Sequence, residues 1–204
     1  MFKRLKLLLR KRSSGVDPSL RESGAPTNKY YQNLHDKSKA YNQNNWLLGM
    51  PEFEMHCEQK RVGEIGCGNG MFSKHISQTA SDVFAFDWAK NKQMDVLPPN
   101  VSFVGGNILE ADLSNFSLDI IVSGDVLEHF TKKDLTILIP KLVQSAEKNF
   151  HVIACFDDGH SHLTVESADW WLNEFQRHGE GYHLEKCDRP NVAIVTNLES
   201  VFVN

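Results

Sequence analysis

The stretch "RVGEIGCGNGMF", residues 61–72, decides the fold. A run with strand character ends in three alternate glycines, and a helical pattern follows. A turn of this kind lets backbone approach a bound ligand closely, because glycine carries no Cβ. Gly66, Gly68 and Gly70 are spaced GxGxG, which is not the GxGxxG of the dinucleotide fingerprint. The spacing therefore argues against a nicotinamide dehydrogenase.

Downstream of this turn the β/α alternation continues. "DVFAFD", "VSFVGG", "LDIIVSGD" and "FHVIAC" read as strands. "GMFSKHISQTA", "NKQMDVL" and "TKKDLTILIPKLVQSAEK" read as the intervening helices, with Thr131 as a cap and Pro140 expected to kink or divide the last. "SADWWLNEFQRHG" is a helix capped by Ser167 and stopped by Gly179, and "YHLEKC" and "NVAIVTNL" close the alternation as a hairpin. Strands separated by helices predict an α/β, mostly parallel sheet covered on both faces. In such sheets ligands bind beyond the carboxyl ends of the strands. That rule points to residues 66–70, 87–88, 105–110, 123–130 and 155–166.

Upstream, "MFKRLKLLLRKR" holds six of the 22 basic residues and no acid, leaving a formal charge of −10 on the rest. An acidic body of this sort argues against nucleic acid as a partner. On a helix, Met1, Phe2, Leu5, Leu8 and Leu9 share one arc, with most of the basic residues opposite. That is the pattern of an in-plane helix at an anionic membrane surface. No 18-residue apolar run crosses a membrane, and nothing after the three leucines resembles a secretory cleavage site. The four cysteines lack zinc or disulfide spacing. The expected location is therefore cytoplasmic, peripheral at the inner membrane face. The organisation reads as a basic start and linker over 1–28, a helical lid over 29–60 with Tyr41, Asn44, Asn45 and Trp46 as its pocket-facing residues, and a cofactor domain over 61–204.

"VGEIGCGNG", "AFDWA", "GNILEAD" and "DIIVSGDVLEHF", in this order and spacing, resemble the successive motifs of class I S-adenosylmethionine-dependent methyltransferases. The resemblance covers roughly residues 61–198. It implies a Rossmann-like seven-stranded sheet with an antiparallel terminal strand, and S-adenosyl-L-methionine as cofactor. It also implies roles. Gly66, Cys67, Gly68 and Gly70 would lie against the cofactor, with Glu64 anchoring the loop through water or a backbone amide. Asp87 would take the ribose hydroxyls, Trp88 would lie beside the adenine, and Asn107 and Ile108 would meet the adenine edge. Asp125 would lie near the methionine end. Asn107 departs from the family, which often carries an acid there.

A methyl acceptor must still be oriented and, if it is a hydroxyl, relieved of a proton. His129, His162 and Asp125 are the candidates, His129 also reading as a residue packed under the cofactor. His160-x-His162 beside Asp157 and Asp158 has metal-ligand chemistry, but methyl transfer requires no metal and the expectation is none. Of Trp170 and Trp171, adjacent on one helix, one is expected in the core. The acceptor expected is a small molecule or glycan. The alternatives are a protein or RNA methyltransferase and a non-catalytic cofactor-binding protein.

Overall fold

The structure is a computed structural model that describes residues 26–199. The basic segment 1–12, read above as a membrane-surface helix, and most of the linker lie outside the described residues. Among the described residues no helix is long and apolar enough to cross a membrane.

Seven strands form one sheet: β1 Arg61–Ile65, β2 Asp82–Asp87, β3 Val101–Gly105, β4 Leu118–Gly124, β5 Ala146–Ala154, β6 His183–Glu185 and β7 Val192–Thr196. Their order is β3-β2-β1-β4-β5-β7-β6. β1 to β5 pair in parallel, and β7 runs antiparallel between β5 and β6. This is the expected Rossmann-like sheet. The order reverses between β1 and β4, so the crevice beyond their carboxyl ends is the switch point of the fold.

The pleat sends alternate residues to opposite faces, and each face builds its own core. Val62, Ile120, Val122 and Phe150 point to one side, beneath Phe53 and Phe72. There the ring of Phe53 stacks on Phe150 at 4.0 Å and on Phe72 at 5.7 Å. Ile65, Ile121 and Ile153 point to the other, beneath Leu138, Leu142, Trp171 and Phe175. Trp171 is thus the core tryptophan. Trp170 packs at the margin of that core, with the Lys132 ammonium 5.3 Å from its ring centre.

The helices are α1 Asn28–Lys37, α2 Lys39–Gln43, α3 Pro51–Glu54, α4 Met71–Ile76, α5 Lys132–Ser145 and α6 Ala168–Gln176. Thr131 and Asp134 close a full capping box at the start of α5. Of the two outcomes expected at Pro140, division does not occur: α5 runs unbroken through it. The carbonyl it leaves without an amide belongs to Thr136, which is exposed, so water can satisfy it. The helical segment expected before β1 is broken into short pieces. Ser38 ends α1 and caps α2, its hydroxyl accepting the Tyr41 N–H at 3.3 Å. The Asn45 side chain then accepts the N–H groups of Leu47 and Leu48 at 2.9 and 3.2 Å, turning the chain before α3.

Candidate active site

The glycine turn is built for two different reasons. Gly66, Gly68 and Gly70 all take left-handed φ values, 68°, 56° and 70°. A Cβ on Gly66 would come within 2.4 Å of Val126 Cγ2, and one on Gly70 within 1.9 Å of Met94 Sδ. Those two positions are closed by packing. A Cβ on Gly68 would meet nothing nearer than 4.0 Å, so its bare face belongs to the cavity. Gly70 lines neither cavity described below; it starts α4.

Asp87, at the end of β2, accepts the Gly68 N–H at 2.8 Å through Oδ2 and the Ala89 N–H at 3.0 Å through Oδ1. A carboxylate has about four acceptor positions, so both oxygens retain capacity for a ligand's hydroxyls. Glu64 is buried, and its Oε2 accepts the Ser73 hydroxyl of α4. Burial pushes this carboxyl up to about 8. Glu64 therefore grips the helix that follows the turn through Ser73, by its side-chain hydroxyl and also by its backbone amide.

Two adjoining cavities lie over the carboxyl edge of the sheet. The smaller, about 220 Å³, is lined by Asp87, Trp88, Asn107 and Ile108 among others. The larger, about 300 Å³, is lined by Glu64, Cys67, Gly68, Asp125, His129 and His162, with Tyr41, Asn44, Asn45 and Trp46 also on its wall. Tyr31, Tyr41, Gly66, Asp125 and His129 belong to both. The sequence thus placed every cofactor candidate except Gly70 on one wall or the other. Asn107 departs in detail: its Oδ1 accepts the Leu109 N–H at 3.1 Å and its Nδ2 donates to Glu110 at 3.0 Å, so its amide is partly spent on its own turn.

The catalytic candidates converge. Asp125 holds a left-handed φ of 62°, fixed by its N–H donating to the Val152 carbonyl at 2.9 Å. Its Oδ1 lies 3.8 Å from His162 Nε2. His162 Nδ1 donates to the Phe156 carbonyl at 2.6 Å, and His129 Nδ1 to the Ser161 carbonyl at 3.1 Å. In the neutral rings the lone pair is then on Nε2. The two rings meet edge to face at 4.9 Å. Burial lowers both imidazoles, and for His162 the neighbouring His129 adds to the effect. Burial raises the carboxyl of Asp125 against the opposing pull of His162, and raises Glu128 well above its ordinary range, with Asp125 pushing the same way.

The loop 156–166 is organised by Asp158. Its Oδ1 accepts the N–H groups of His160, Ser161 and His162 at 3.0, 2.8 and 3.0 Å, and its Oδ2 the Ser161 hydroxyl at 2.6 Å. Burial alone would raise this carboxyl, but those bonds more than offset it and hold it below the usual range. Asp157 is exposed and accepts only the Gly159 N–H among the described bonds.

Several contributors escaped sequence reasoning. Asn69, inside the glycine turn, is buried and donates to the carbonyls of Tyr41 and Asn44 at 3.2 and 2.8 Å. Its amide between two glycines was the available signal. His35 is buried, with Nδ1 accepting from Asn91 at 2.9 Å and Nε2 lying 4.0 Å from Asp87 without a hydrogen-bond partner. Nothing local in "NLHDK" marks it. Arg189 lines the larger cavity from the β6–β7 turn, its guanidinium 5.3 Å above the Trp46 ring.

The Methyltransferase domain family matches residues 63–149. A phosphoethanolamine N-methyltransferase of Arabidopsis thaliana is 30% identical over 93 residues, covering 42% of this chain and 19% of that protein. The chain also spans 22% of the corresponding enzyme of Triticum aestivum, so it covers about a fifth of the length of these two relatives. A malonyl-[acyl-carrier protein] O-methyltransferase of Calditerrivibrio nitroreducens is 28% identical over 181 residues, covering 76% of this chain and 70% of that one. Among solved structures, human N-acetylserotonin methyltransferase in complex with S-adenosylmethionine superposes with a TM-score of 0.64 at 11% identity, over 83% of this chain and 56% of that chain. With the motif order, the strand order and the cleft at the switch point, the family match identifies a methyltransferase domain over residues 63–149 of the chain.

Proposed function

We propose that the protein transfers a methyl group from S-adenosylmethionine to an oxygen of a small-molecule or saccharide acceptor held in the larger cavity. One observation carries the acceptor side of this reading: Asp125, His129 and His162 converge where the two cavities share a wall. The smaller cavity suits the nucleoside. Asp87 offers free acceptor positions to ribose hydroxyls, and Trp88, Asn107 and Ile108 frame the base. Gly68 leaves backbone open to the amino-acid part, which would bring the reacting end to Asp125.

The cofactor supplies an already electrophilic methyl. The residues here must hold the acceptor in line with it at about 3–3.5 Å. They must also draw the proton from a hydroxyl. Both imidazoles, lowered by burial, are unprotonated at neutral pH and so free to accept a proton beside the carboxylate. Tyr41, Asn44 and Trp46 would cover the acceptor from above.

The relatives' names span nitrogen and oxygen acceptors, so the preference for oxygen rests on the cluster. The names phosphoethanolamine and malonyl both denote anionic groups, and Arg189 on the cavity wall would suit such a group. The basic pattern of residues 1–12 supports a further contact with anionic lipid.

Cofactor binding by calorimetry, with nicotinamide dinucleotide as control, tests the first half. Labelled methyl transfer to extracts fractionated by acceptor chemistry tests the second, and alkali-stable O-methyl product is the expected result. Label found only on amines would overturn the oxygen assignment. Salt-sensitive co-sedimentation with anionic vesicles, lost on deleting residues 1–12, is expected for the membrane contact.

A further inference from the structure

We propose that Asp125, His129 and His162, with Glu128 behind them, form a divalent-cation site on the wall of the acceptor cavity. Each of the first three offers one ligand atom, and these atoms lie within 4.8 Å of one another. The His162 Nε2 to Asp125 Oδ1 distance is 3.8 Å. Ligand atoms around a tetrahedral ion with bonds of about 2.0–2.1 Å lie about 3.4 Å apart. The His162–Asp125 pair is within about 0.4 Å of that spacing, and the widest pair must close by about 1.4 Å at most.

The rings are held as ligating histidines are held. Each donates its Nδ1–H to a backbone carbonyl, His129 to Ser161 and His162 to Phe156, which fixes ring orientation and leaves Nε2 as the donor atom for a metal. The two carbonyls belong to the 156–166 loop, itself pinned by Asp158. The site is thus built from β4's exit and the β5–α6 loop together.

Glu128 supplies the independent observation. It is fully buried, and Oε1 accepts the Ala154 N–H at 2.6 Å. The carboxyl lies against that of Asp125, to which it donates a hydrogen bond in its protonated form. A cation at Asp125 gives this pair of adjoining carboxyls a counter-charge. Asp125 itself, about a third exposed, faces the cavity, so an ion can enter.

Two imidazoles and a carboxylate with open positions suit Mn²⁺, Fe²⁺, Co²⁺ or Zn²⁺ better than Mg²⁺ or Ca²⁺, whose preference is for oxygen alone. The positions left open face the place the proposed function gives to the acceptor. The inference rests on that reading only for this last point. His160-x-His162 with Asp157 is not the site: Asp157 belongs to its own turn.

The test is titration of chelator-stripped full-length protein with Mn²⁺, free ion being counted by electron paramagnetic resonance. One saturable equivalent is expected. His162→Ala and Asp125→Asn should each weaken it tenfold or more while keeping wild-type melting behaviour. His183→Ala, on β6, should bind as wild type. No saturable binding at millimolar Mn²⁺, or unchanged binding in both cluster variants, overturns the site. Failure of the wild type to bind S-adenosylhomocysteine while still binding Mn²⁺ would sink the methyltransferase reading and leave the cation site standing.

Discussion

Asp87 Oδ2 accepts the backbone N–H of Gly68 at 2.8 Å, so the end of β2 holds the glycine turn in its curve. The same carboxylate is the proposed ribose ligand. Asp87→Ala should therefore lose a charged acceptor twice over, for the ligand and for the turn. A hydrogen bond to a charged group is worth roughly 1.5–3 kcal/mol. Calorimetry should show S-adenosylmethionine affinity reduced about tenfold or more, and unchanged affinity would remove Asp87 from the site.

The glycines should separate folding from binding. Gly66→Ala adds a Cβ 2.4 Å from Val126 Cγ2 on top of the left-handed strain, whereas Gly68→Ala adds only the strain. That strain is about 1–2 kcal/mol for an L-residue. Thermal melting should show Gly66→Ala as the more damaged of the two. Gly68→Ala should melt closer to wild type yet bind cofactor more weakly, because its open face lines the cavity. Equal melting temperatures for the pair would contradict the packing argument.

His162→Ala should leave cofactor affinity within about twofold, since the ring reaches the larger cavity but not the smaller one proposed for the nucleoside. Turnover should fall by roughly 10²-fold or more if the ring handles the acceptor proton, directly or through an ion. A smaller fall with a raised KM would mark it as a binding group. Steady-state kinetics on the identified acceptor decides between them, and wild-type kinetics would move the acceptor elsewhere.

Glu64 sets an alkaline dependence. Its folded carboxyl, held up to about 8 by burial, keeps a proton that the unfolded chain loses near pH 4, roughly. The folded state binds more protons between those values, so this contribution is full below the unfolded value and is lost as pH rises through about 8. Glu64→Gln cannot titrate and should show a flatter melting profile from pH 5 to 8, roughly, with a difference on the order of a few kcal/mol. Parallel profiles would show that Glu64 titrates normally.

His151 sets the acid limb. It is buried against Phe175, with the Ser123 hydroxyl 2.8 Å from Nδ1, and burial lowers it to about 3. An unfolded histidine titrates near 6.5, roughly. Its stabilising contribution is therefore present above that value and is lost as pH falls toward about 3. His151→Gln should unfold at a lower pH relative to its own neutral stability, as followed by circular dichroism. An unshifted acid midpoint would reject the assignment.

The sheet was readable because its signals are local and redundant. Five apolar runs bounded by turns name five parallel strands, and GxGxG followed by Asp87 names the switch point. Ser167 and Thr131 mark helix starts by capping chemistry that needs no tertiary partner. The site was readable only in part. The GxGxG pattern and the exits of β2 to β5 fixed which residues line the cleft. They could not show that Glu64 bonds Ser73, that His35 approaches Asp87 across the fold, or that Arg189 reaches the cavity from the last hairpin. Those pairings depend on how non-neighbouring segments dock. The fragmentation before β1 was missed for a related reason: Ser38 and Asn45 break the helix through their own side chains, a local competition that composition alone understates.

Asn69 holds the covering segment by two backbone carbonyls, those of Tyr41 and Asn44, and by no side chain. Such an attachment is indifferent to sequence. Every non-proline or proline residue has a carbonyl, so side chains at these positions can change without cutting the tether. The same segment presents Tyr41, Asn44 and Trp46 to the larger cavity, proposed to hold the acceptor. Diversification is thereby decoupled from anchorage: a chain of this design can exchange the chemistry of its pocket roof by single substitutions, acquire a different acceptor, and keep the geometry of the glycine turn that any acceptor would require.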